Sequence, residues 1–176
     1  AGMVVIASGI YVYTGLKDAG GKKVIQAIEV DTKKEESAMD KFREIKASYD
    51  VDINGHIVGI EITDTPVSSV GWGIIKEQKN VKSLILTRCE LKDADINSVT
   101  NLVLLEKLDL SGNELTDTCL DSLKAVKSLR MLDMGGTNVT PEGFAKLKAA
   151  LPECNIIEKE LTDKEKLAAY EKHRES

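Results

Sequence analysis

Short aliphatic pairs recur along this chain at a spacing of 24 residues. They are Ile60/Ile62, Leu84/Leu86, Leu108/Leu110 and Leu132/Met134, and Ile156 stands at the next position in register. The two members of a pair are two positions apart, which is the period of a β-strand with one buried face. Because the spacing recurs in register, it predicts a solenoid, in which each unit buries its apolar side against the next.

A second periodic signal follows each pair and predicts a helix. Two apolar columns lie three residues apart, and side chains at that spacing share one face of a helix. The columns are Trp72, Ile96, Leu120 and Phe144, followed by Ile75, Val99, Leu123 and Leu147. Thr116 and Thr140 precede two of these segments as N-caps, with Pro141 at a first helical position. Alternating strands and helices predict an α/β fold.

Three consecutive units, starting at Val81, Leu105 and Leu129, share the pattern L-x-x-L-x-L-x-x-(N/C/T)-x-L before a helix. This pattern resembles the leucine-rich repeat family, and the resemblance covers about residues 58–156. It implies a short solenoid with parallel strands on the concave face and helices on the convex face. It also implies that the ninth column lies inside the turn and bonds loop backbone groups, namely Thr65, Cys89, Asn113 and Thr137.

Two shorter phrases narrow the resemblance. The segments T-D-x-x-L and T-P-E-G-F, which begin at Thr116 and Thr140, are similar to repeats of planctomycete and related bacterial proteins. This likeness implies a leucine-rich-repeat solenoid that acts as a scaffold and is of bacterial origin.

The first 16 residues carry no charged side chain and predict a truncated membrane anchor. As a helix they would span about 24 Å, short of the roughly 30 Å of a bilayer core, so a few apolar residues upstream would complete a span. Tyr11, Tyr13 and Lys17 are typical of the end of a span at the interface. The alternative is a soluble β-segment, because β-branched residues alternate with the tyrosines at Ile10, Val12 and Thr14.

The remaining segments complete the predicted domain organisation. Residues 17–32 are Gly- and Lys-rich and predict a linker. Residues 33–57 predict an N-terminal cap made of a helix and a hairpin, with Asn54-Gly55 as a turn in which both residues have positive φ. The repeats occupy residues 58–160. The charged residues 161–176 predict a C-terminal capping helix, with a docking helix as the alternative.

Composition limits the chemistry. A net charge of −5 disfavours a general nucleic-acid role. Cys89, Cys119 and Cys154 lack the spacing of a zinc site and are predicted to be small buried hydrophobic residues. No Ser/His/Asp set, Cys/His pair, metal-ligand cluster or phosphate-binding glycine motif is evident. The sequence therefore predicts no enzyme, no cofactor, no metal and no small-molecule substrate.

The residue between the two aliphatics of each pair is predicted to point out from the concave face. This central column is Glu61, Ile85, Asp109 and Asp133, and the flanking positions supply Lys82, Arg88, Lys107 and Arg130. Neighbouring strands lie about 4.8 Å apart, so Asp109 and Asp133 would be adjacent like charges. Two explanations stay open: Lys107 and Arg130 neutralise a structural acidic column, or the column recognises a basic or amide-rich partner segment.

The function predicted from these patterns is a membrane-tethered protein–protein interaction module that binds a partner through its concave face. The alternative is an accessory or structural subunit of a larger membrane complex, which should bury well over 2,000 Å² in a fixed interface. An enzyme with a pocket outside the repeats is the remote alternative. The predicted localisation is membrane-associated through residues 1–16, with the side of the membrane undetermined.

Overall fold

The computed structural model describes residues 2–7, 10–17, 23–29, 42, 45–67 and 69–159. These residues form two sheets. The first is antiparallel, in the order β1 (Gly2–Ala7), β2 (Ile10–Lys17) and β3 (Lys23–Glu29). The second runs in sequence order through β4 (Ser48–Val51), β5 (Ile57–Thr63), β6 (Ser83–Thr87), β7 (Lys107–Asp109), β8 (Met131–Asp133) and β9 (Asn155–Ile157).

The helical elements connect the parallel strands of the second sheet. They are α1 (Ser69–Ile75), a 3-10 helix (Asp93–Asn101), a 3-10 turn (Asp117–Cys119) that leads into α2 (Leu120–Ala125), and α3 (Pro141–Ala150). The fold is therefore mixed α/β with a parallel sheet, consistent with a leucine-rich-repeat architecture. The register repeats the sequence spacing, because Ile60 pairs with Leu84 and the series continues through Leu108, Leu132 and Ile156.

The core lies between the parallel sheet and the helical elements. Both members of each aliphatic pair are buried, as are both predicted helix columns, Trp72 included. The helix N-caps also form as predicted. Thr140 Oγ1 accepts a hydrogen bond from Gly143 N at 3.0 Å, and Thr116 Oγ1 accepts one from Thr118 N at 3.3 Å. Periodicity thus predicts the buried side of every unit, because each unit packs only against its neighbours.

One unit departs from the α-helical expectation. Residues 93–101 form a 3-10 helix rather than an α-helix. Their sequence, DADINSVTN, is rich in Asp, Asn, Ser, Thr and Val, which are weak helix formers. The apolar residues Ile96 and Val99 are still buried, because a spacing of three keeps side chains on one face of a 3-10 helix as well.

The hairpin at Asn54-Gly55 joins β4 to β5, which pair antiparallel. Its turn differs from the predicted one, because within residues 52–56 only Gly55 has positive φ, at 84°. Gly55 N donates to Asp52 O at 3.1 Å, and Asp52 Oδ1 accepts hydrogen bonds from the backbone N–H groups of Asn54 and His56. The Asp52 carboxylate thus organises a three-residue loop that ends in one left-handed glycine.

The N-terminal segment also differs from its prediction. Residues 2–7 and 10–17 form strands, so the prediction of a helix over residues 1–16 is wrong. The alternative, a β-segment, agrees with β2, which contains Ile10, Val12 and Thr14. The physical reason is the density of β-branched and aromatic residues, which favour a pleated strand. The predicted linker 17–32 contains β3. Among the residues described, no helix is long and apolar enough to span a membrane. The predicted helix in 33–48 falls largely outside the described residues, and the predicted capping helix 161–176 does so entirely.

Candidate functional site

Strand register brings side chains from five strands into two rows on the sheet face opposite the core. Alternate residues of a strand point to the same face, and paired residues on neighbouring strands share it. The first row is Asp50, Gly59, Ser83 and Lys107. The second row is Ser48, Glu61, Ile85, Asp109 and Asp133. These rows form the concave face, and its β4–β6 end is the candidate site.

The β4–β6 end is shaped by a close approach of Asp50 to Gly59. A Cβ atom on Gly59 would lie 2.8 Å from Asp50 Oδ2, so only glycine lets this carboxylate lie across the sheet. Gly59 and Ser83 stand between Asp50 and Lys107 in the first row. Because these two residues have little or no side chain, the sheet surface is low between the two charged residues. A shallow depression of about 90 Å³ opens here, lined by Ser48, Tyr49, Asp50, Gly59, Ile60, Glu61, Ser83 and Ile85.

Lys107 forms a charged cluster with the acids of this end. Burial lowers the pKa of Lys107, and the nearby carboxylates of Asp109, Glu61 and Asp50 oppose that shift. The half-buried ammonium group therefore interacts with three carboxylates, which belong to three other residues of the sheet. Glu61 is exposed and Ile85 is partly buried. The structure thus brings together three predicted residues, Glu61, Ile85 and Lys107, and adds Asp50 to them.

Asp109 and Asp133 correct the prediction of a continuous exposed column. Their side chains are only 2% and 1% exposed, respectively. Asp109 Oδ1 accepts hydrogen bonds from Ser111 N at 2.9 Å and Ser111 Oγ at 2.6 Å, and Asp133 Oδ1 accepts one from Gly135 N at 2.9 Å. Each carboxylate turns back onto the residue two positions on, as acidic side chains do at strand ends. They therefore serve the turn of their own repeat in this structure.

The remaining predicted residues lie at the ends of the strands. Lys82 and Arg130 are exposed just before β6 and β8, and Lys82 Nζ lies 3.7 Å from Glu106 Oε1. Arg130 Nη1 donates to Leu129 O at 3.4 Å. Arg88 directly follows β6 and so lies at the opposite, C-terminal ends of the strands. The structure therefore does not gather Lys82, Arg88 and Arg130 around the depression at the β4–β6 end.

Arg88 belongs to a column of left-handed turn residues spaced by 24. Asp64, Arg88, Gly112 and Gly136 have φ values of 51°, 52°, 68° and 71°. Arg88 donates from Nε to Asp64 Oδ1 at 2.6 Å and from Nη2 to Asp64 Oδ2 at 2.9 Å. The hydrogen bond from Arg88 lowers the pKa of Asp64. A Cβ atom on Gly112 would lie 2.6 Å from Arg88 Cγ, so glycine there accommodates the arginine stem.

The ninth column lies inside the turns, as the family resemblance implies. Asn113 Oδ1 accepts from Cys89 N at 2.8 Å and Leu91 N at 3.1 Å, while its Nδ2 donates to Leu86 O at 2.7 Å and Leu110 O at 2.8 Å. The buried Asn113 side chain thereby joins two successive turns. Cys89 and Thr137 do less, because each offers one polar side-chain atom to the surrounding backbone carbonyls.

The cysteines are structural rather than reactive in this geometry. Cys89 and Cys119 are buried, as predicted, and Cys154 is partly buried. Burial raises the pKa of Cys89 and Cys154 to about 11 and that of Cys119 to about 12. Cys89 Sγ donates to Ile62 O at 3.2 Å, so it partly replaces the asparagine of the next turn. Thiolates are scarce at neutral pH when the pKa is this high.

Sequence reasoning missed Asp50 and its neighbours on β4. The signal was present in the hairpin itself. Counting back from the Asn54-Gly55 turn places Asp50 opposite Gly59 and Ser48 opposite Glu61, which the strand register shows. A hairpin strand adds itself to the edge of the parallel sheet, so its outward residues join the concave face.

The chain is similar to one protein family and, at low identity, to solved structures. Residues 79–139 match the family described as "Leucine rich repeat". The tropomodulin C-terminal domain from Caenorhabditis elegans is 14% identical, with 80% of this chain and 90% of that chain covered and a TM-score of 0.49. The complex PEPR1-AtPEP1 is 16% identical, with 62% of this chain and 19% of that chain covered and a TM-score of 0.36. No curated protein compared matches the chain.

The family match and the register of the sheet coincide. The matched segment includes β6, β7 and β8, three of the five strands that carry the 24-residue ladder. The resemblance to the leucine-rich repeat family is thereby confirmed over residues 79–139.

Proposed function

We propose that this chain is a non-enzymatic protein-binding module whose concave face, at the β4–β6 end, receives a basic or amide-rich segment of a partner protein. Leucine-rich repeats generally mediate protein–protein interaction, and the repeat of this chain supports that coarse function. The observation that carries the finer proposal is the pair of acids, Asp50 and Glu61, that line one depression beside the small residues Gly59 and Ser83.

Shape supports a surface over a substrate pocket. The depression has a volume of about 90 Å³, whereas small-molecule sites usually enclose about 300–1,000 Å³. A side chain or a short extended segment fits such a shallow site better than a metabolite does. Backbone atoms of a partner can approach the sheet here because Gly59 and Ser83 carry little or no side chain.

Charge supports a basic or amide-rich partner. The carboxylates of Asp50 and Glu61 attract cationic groups, and their complementarity to such a partner would set orientation and association rate more than raw affinity. Lys107 marks the limit of the acidic area and would repel a cationic group that bound too far along the sheet. The acidic column proposed from sequence is thus shortened to its first member, with Asp50 as a new neighbour.

The proposal is tested by the double variant Asp50→Asn, Glu61→Gln. Fluorescence anisotropy with labelled Lys/Arg-rich and Asn/Gln-rich peptides should show about a tenfold loss of affinity, together with a weaker dependence on salt. The matched control is Asp121→Asn, Glu153→Gln, which removes the same charge from exposed positions elsewhere. Equal binding by both double variants would refute the role of the Asp50–Glu61 end.

Membrane attachment through residues 1–16, with a role as an accessory subunit, stays a prediction from the sequence. The uncharged run in this segment is its support. Fractionation of cells that express the complete gene product is the test. Recovery in the membrane fraction after a high-salt wash would support it, whereas full recovery without detergent in the soluble fraction would contradict it.

A further inference from the structure

A surface separate from the concave face combines exposed apolar side chains with lysines. Val103 and Leu104 are 69% and 44% exposed, the highest exposure of adjacent large hydrophobic residues in the part of the chain that the structure describes. Leu105 N donates to Leu102 O at 3.1 Å, so Val103 and Leu104 occupy the two central positions of a turn. The buried leucines on either side hold the turn, and the central pair projects outward.

The repeat itself does not require apolar residues at these two positions. In the preceding unit the corresponding residues are Lys79 and Asn80, and in the following unit they are Lys127 and Ser128. All four of these residues are polar, and the turns they occupy form in the same fold. Val103 and Leu104 are therefore a local departure from the pattern, and packing inside the solenoid does not explain them.

Lysines and a depression adjoin the exposed pair. Lys79 and Lys127 lie one repeat away on each side, in the same column as Val103. A depression of about 660 Å³ is lined by Lys76, Glu77, Lys79 and Asn101. Asn101 precedes Val103 by two residues in the chain. The ammonium of Lys79 donates to Lys76 O at 3.1 Å and that of Lys127 to Ala150 O at 3.2 Å. Each bond leaves the ammonium with further donors for a ligand.

We propose that this edge, made of Val103, Leu104, Lys76, Lys79 and Lys127, is a second docking surface for an acidic protein segment with apolar side chains. Val103 and Leu104 contact the apolar side chains of the segment, while its carboxylates lie beside the lysines. The chain has a net charge of −5, so the lysines form a local reversal of sign that selects an acidic ligand.

A peptide fits this edge better than an anionic bilayer does. The depression is lined by Glu77 as well as by lysines. A flat anionic surface that contacted the lysines would also contact the like-charged Glu77. A peptide can place its carboxylates away from Glu77 and lower an apolar side chain into the depression. Two adjacent apolar residues also supply little area for insertion into lipid.

The test uses labelled peptides with a Leu-Leu pair flanked by glutamates, and matched peptides flanked by lysines, in fluorescence anisotropy with the full chain. The acidic peptides should bind and the lysine peptides should not. Val103→Gln with Leu104→Ser should weaken binding about tenfold or more, and Lys79→Gln with Lys127→Gln should weaken it and flatten its salt dependence. The matched control Ile53→Ser changes the other exposed large hydrophobic residue described, on the hairpin, and should leave affinity unchanged.

Three results would overturn the proposal. The first is a Kd weaker than about 1 mM for every acidic peptide, and the second is a Kd that the Val103 and Leu104 variant does not alter. The third is binding to vesicles of phosphatidylserine that depends on these residues while peptide binding does not, which would assign the edge to membranes. Thermal unfolding of each variant confirms the fold, because exposed substitutions at this turn should leave Tm nearly unchanged.

Discussion

The Asp93 carboxylate accepts two hydrogen bonds from Thr116 of the following repeat, from the backbone N at 2.8 Å and from Oγ1 at 2.6 Å. The same relationship recurs one repeat later, where Asp117 accepts from Thr140 N at 2.8 Å and Thr140 Oγ1 at 2.7 Å. Each threonine also caps the helical segment of its own unit. These clamps join neighbouring units on the convex side, and in the last unit Pro141 stands where the aspartate would be.

Replacing Asp93 by alanine should destabilise the fold by about 1–2 kcal/mol, because Thr116 then loses the acceptor for two hydrogen bonds. Urea unfolding followed by circular dichroism measures this change. Thr100→Ala is the control, since its hydroxyl donates to Asn97 O within its own unit, outside the clamp, and its loss should cost less. An Asp93→Ala variant as stable as the parent chain would contradict a stabilising clamp.

Stability should depend on the protonation of Asp117. The hydrogen bonds from the Thr140 side chain and backbone lower the pKa of Asp117 below its ordinary value. A group with a depressed folded-state pKa adds stability above its unfolded pKa, about 3.9, and this contribution is lost as pH falls through the folded pKa. The difference in Tm between the parent chain and Asp117→Ala should therefore be largest above pH 5 and shrink toward pH 2.

The control for this pH profile is Glu153→Ala, another exposed carboxylate. Its difference in Tm from the parent chain should stay small at every pH. A Tm difference for Asp117→Ala that is constant from pH 2 to neutral pH would contradict the role of the ionised carboxylate.

Asn113 should be the most sensitive polar position of the repeat. Replacement by alanine leaves the N–H groups of Cys89 and Leu91 and the facing carbonyls without this partner in a buried turn. We expect a loss on the order of 3 kcal/mol or more in the free energy of unfolding, since each orphaned buried group costs about 1–3 kcal/mol. Thr137→Ala removes one bond, to Met134 O at 2.7 Å, and should cost about 1 kcal/mol. Equal effects of the two variants in urea unfolding would contradict this ranking.

Two helical glycines should respond oppositely to alanine. A Cβ atom on Gly143 would lie in severe overlap with Asp117 Oδ1, at 2.3 Å, whereas one on Gly73 would meet no atom within 4 Å. Gly143→Ala should destabilise the fold by about 1–3 kcal/mol, and Gly73→Ala should stabilise it by about 0.5–1 kcal/mol through lower unfolded-state entropy. In an Asp117→Ala background most of the Gly143→Ala penalty should vanish. A penalty that persists there would place its origin elsewhere.

Glu90 should tolerate glycine better than its counterpart one repeat later. Glu90 has φ of 55°, a left-handed conformation that L side chains adopt at a cost. Glu90→Gly should be neutral or stabilising by up to about 1 kcal/mol, because relief of this cost offsets the added unfolded-state entropy. Glu114→Gly is the matched control without positive φ and should destabilise. Thermal unfolding that ranks the two variants the other way would contradict the argument.

The tertiary structure changed the candidate site more than it changed the fold. Asp109 and Asp133 follow the same column as Glu61, so their spacing alone places all three on one face. Only the folded turns show that Asp109 bends back to Ser111 and Asp133 to Gly135. Asp50 is remote from the repeat pattern, and the hairpin brings it beside Gly59. These are matters of side-chain direction and of segments distant in sequence, which a periodic pattern does not contain.

The sequence by itself determined the 24-residue register, the buried columns and the caps at Thr116 and Thr140. It could do so because every unit packs against its nearest neighbours, which makes burial a local and repeated property. Only the tertiary structure decided which concave residues are accessible, how Arg88 pairs with Asp64, and that Val103 and Leu104 project from their turn. Hydrogen bonds from turn backbones and contacts between separate elements set these outcomes, and neither has a signature in periodicity.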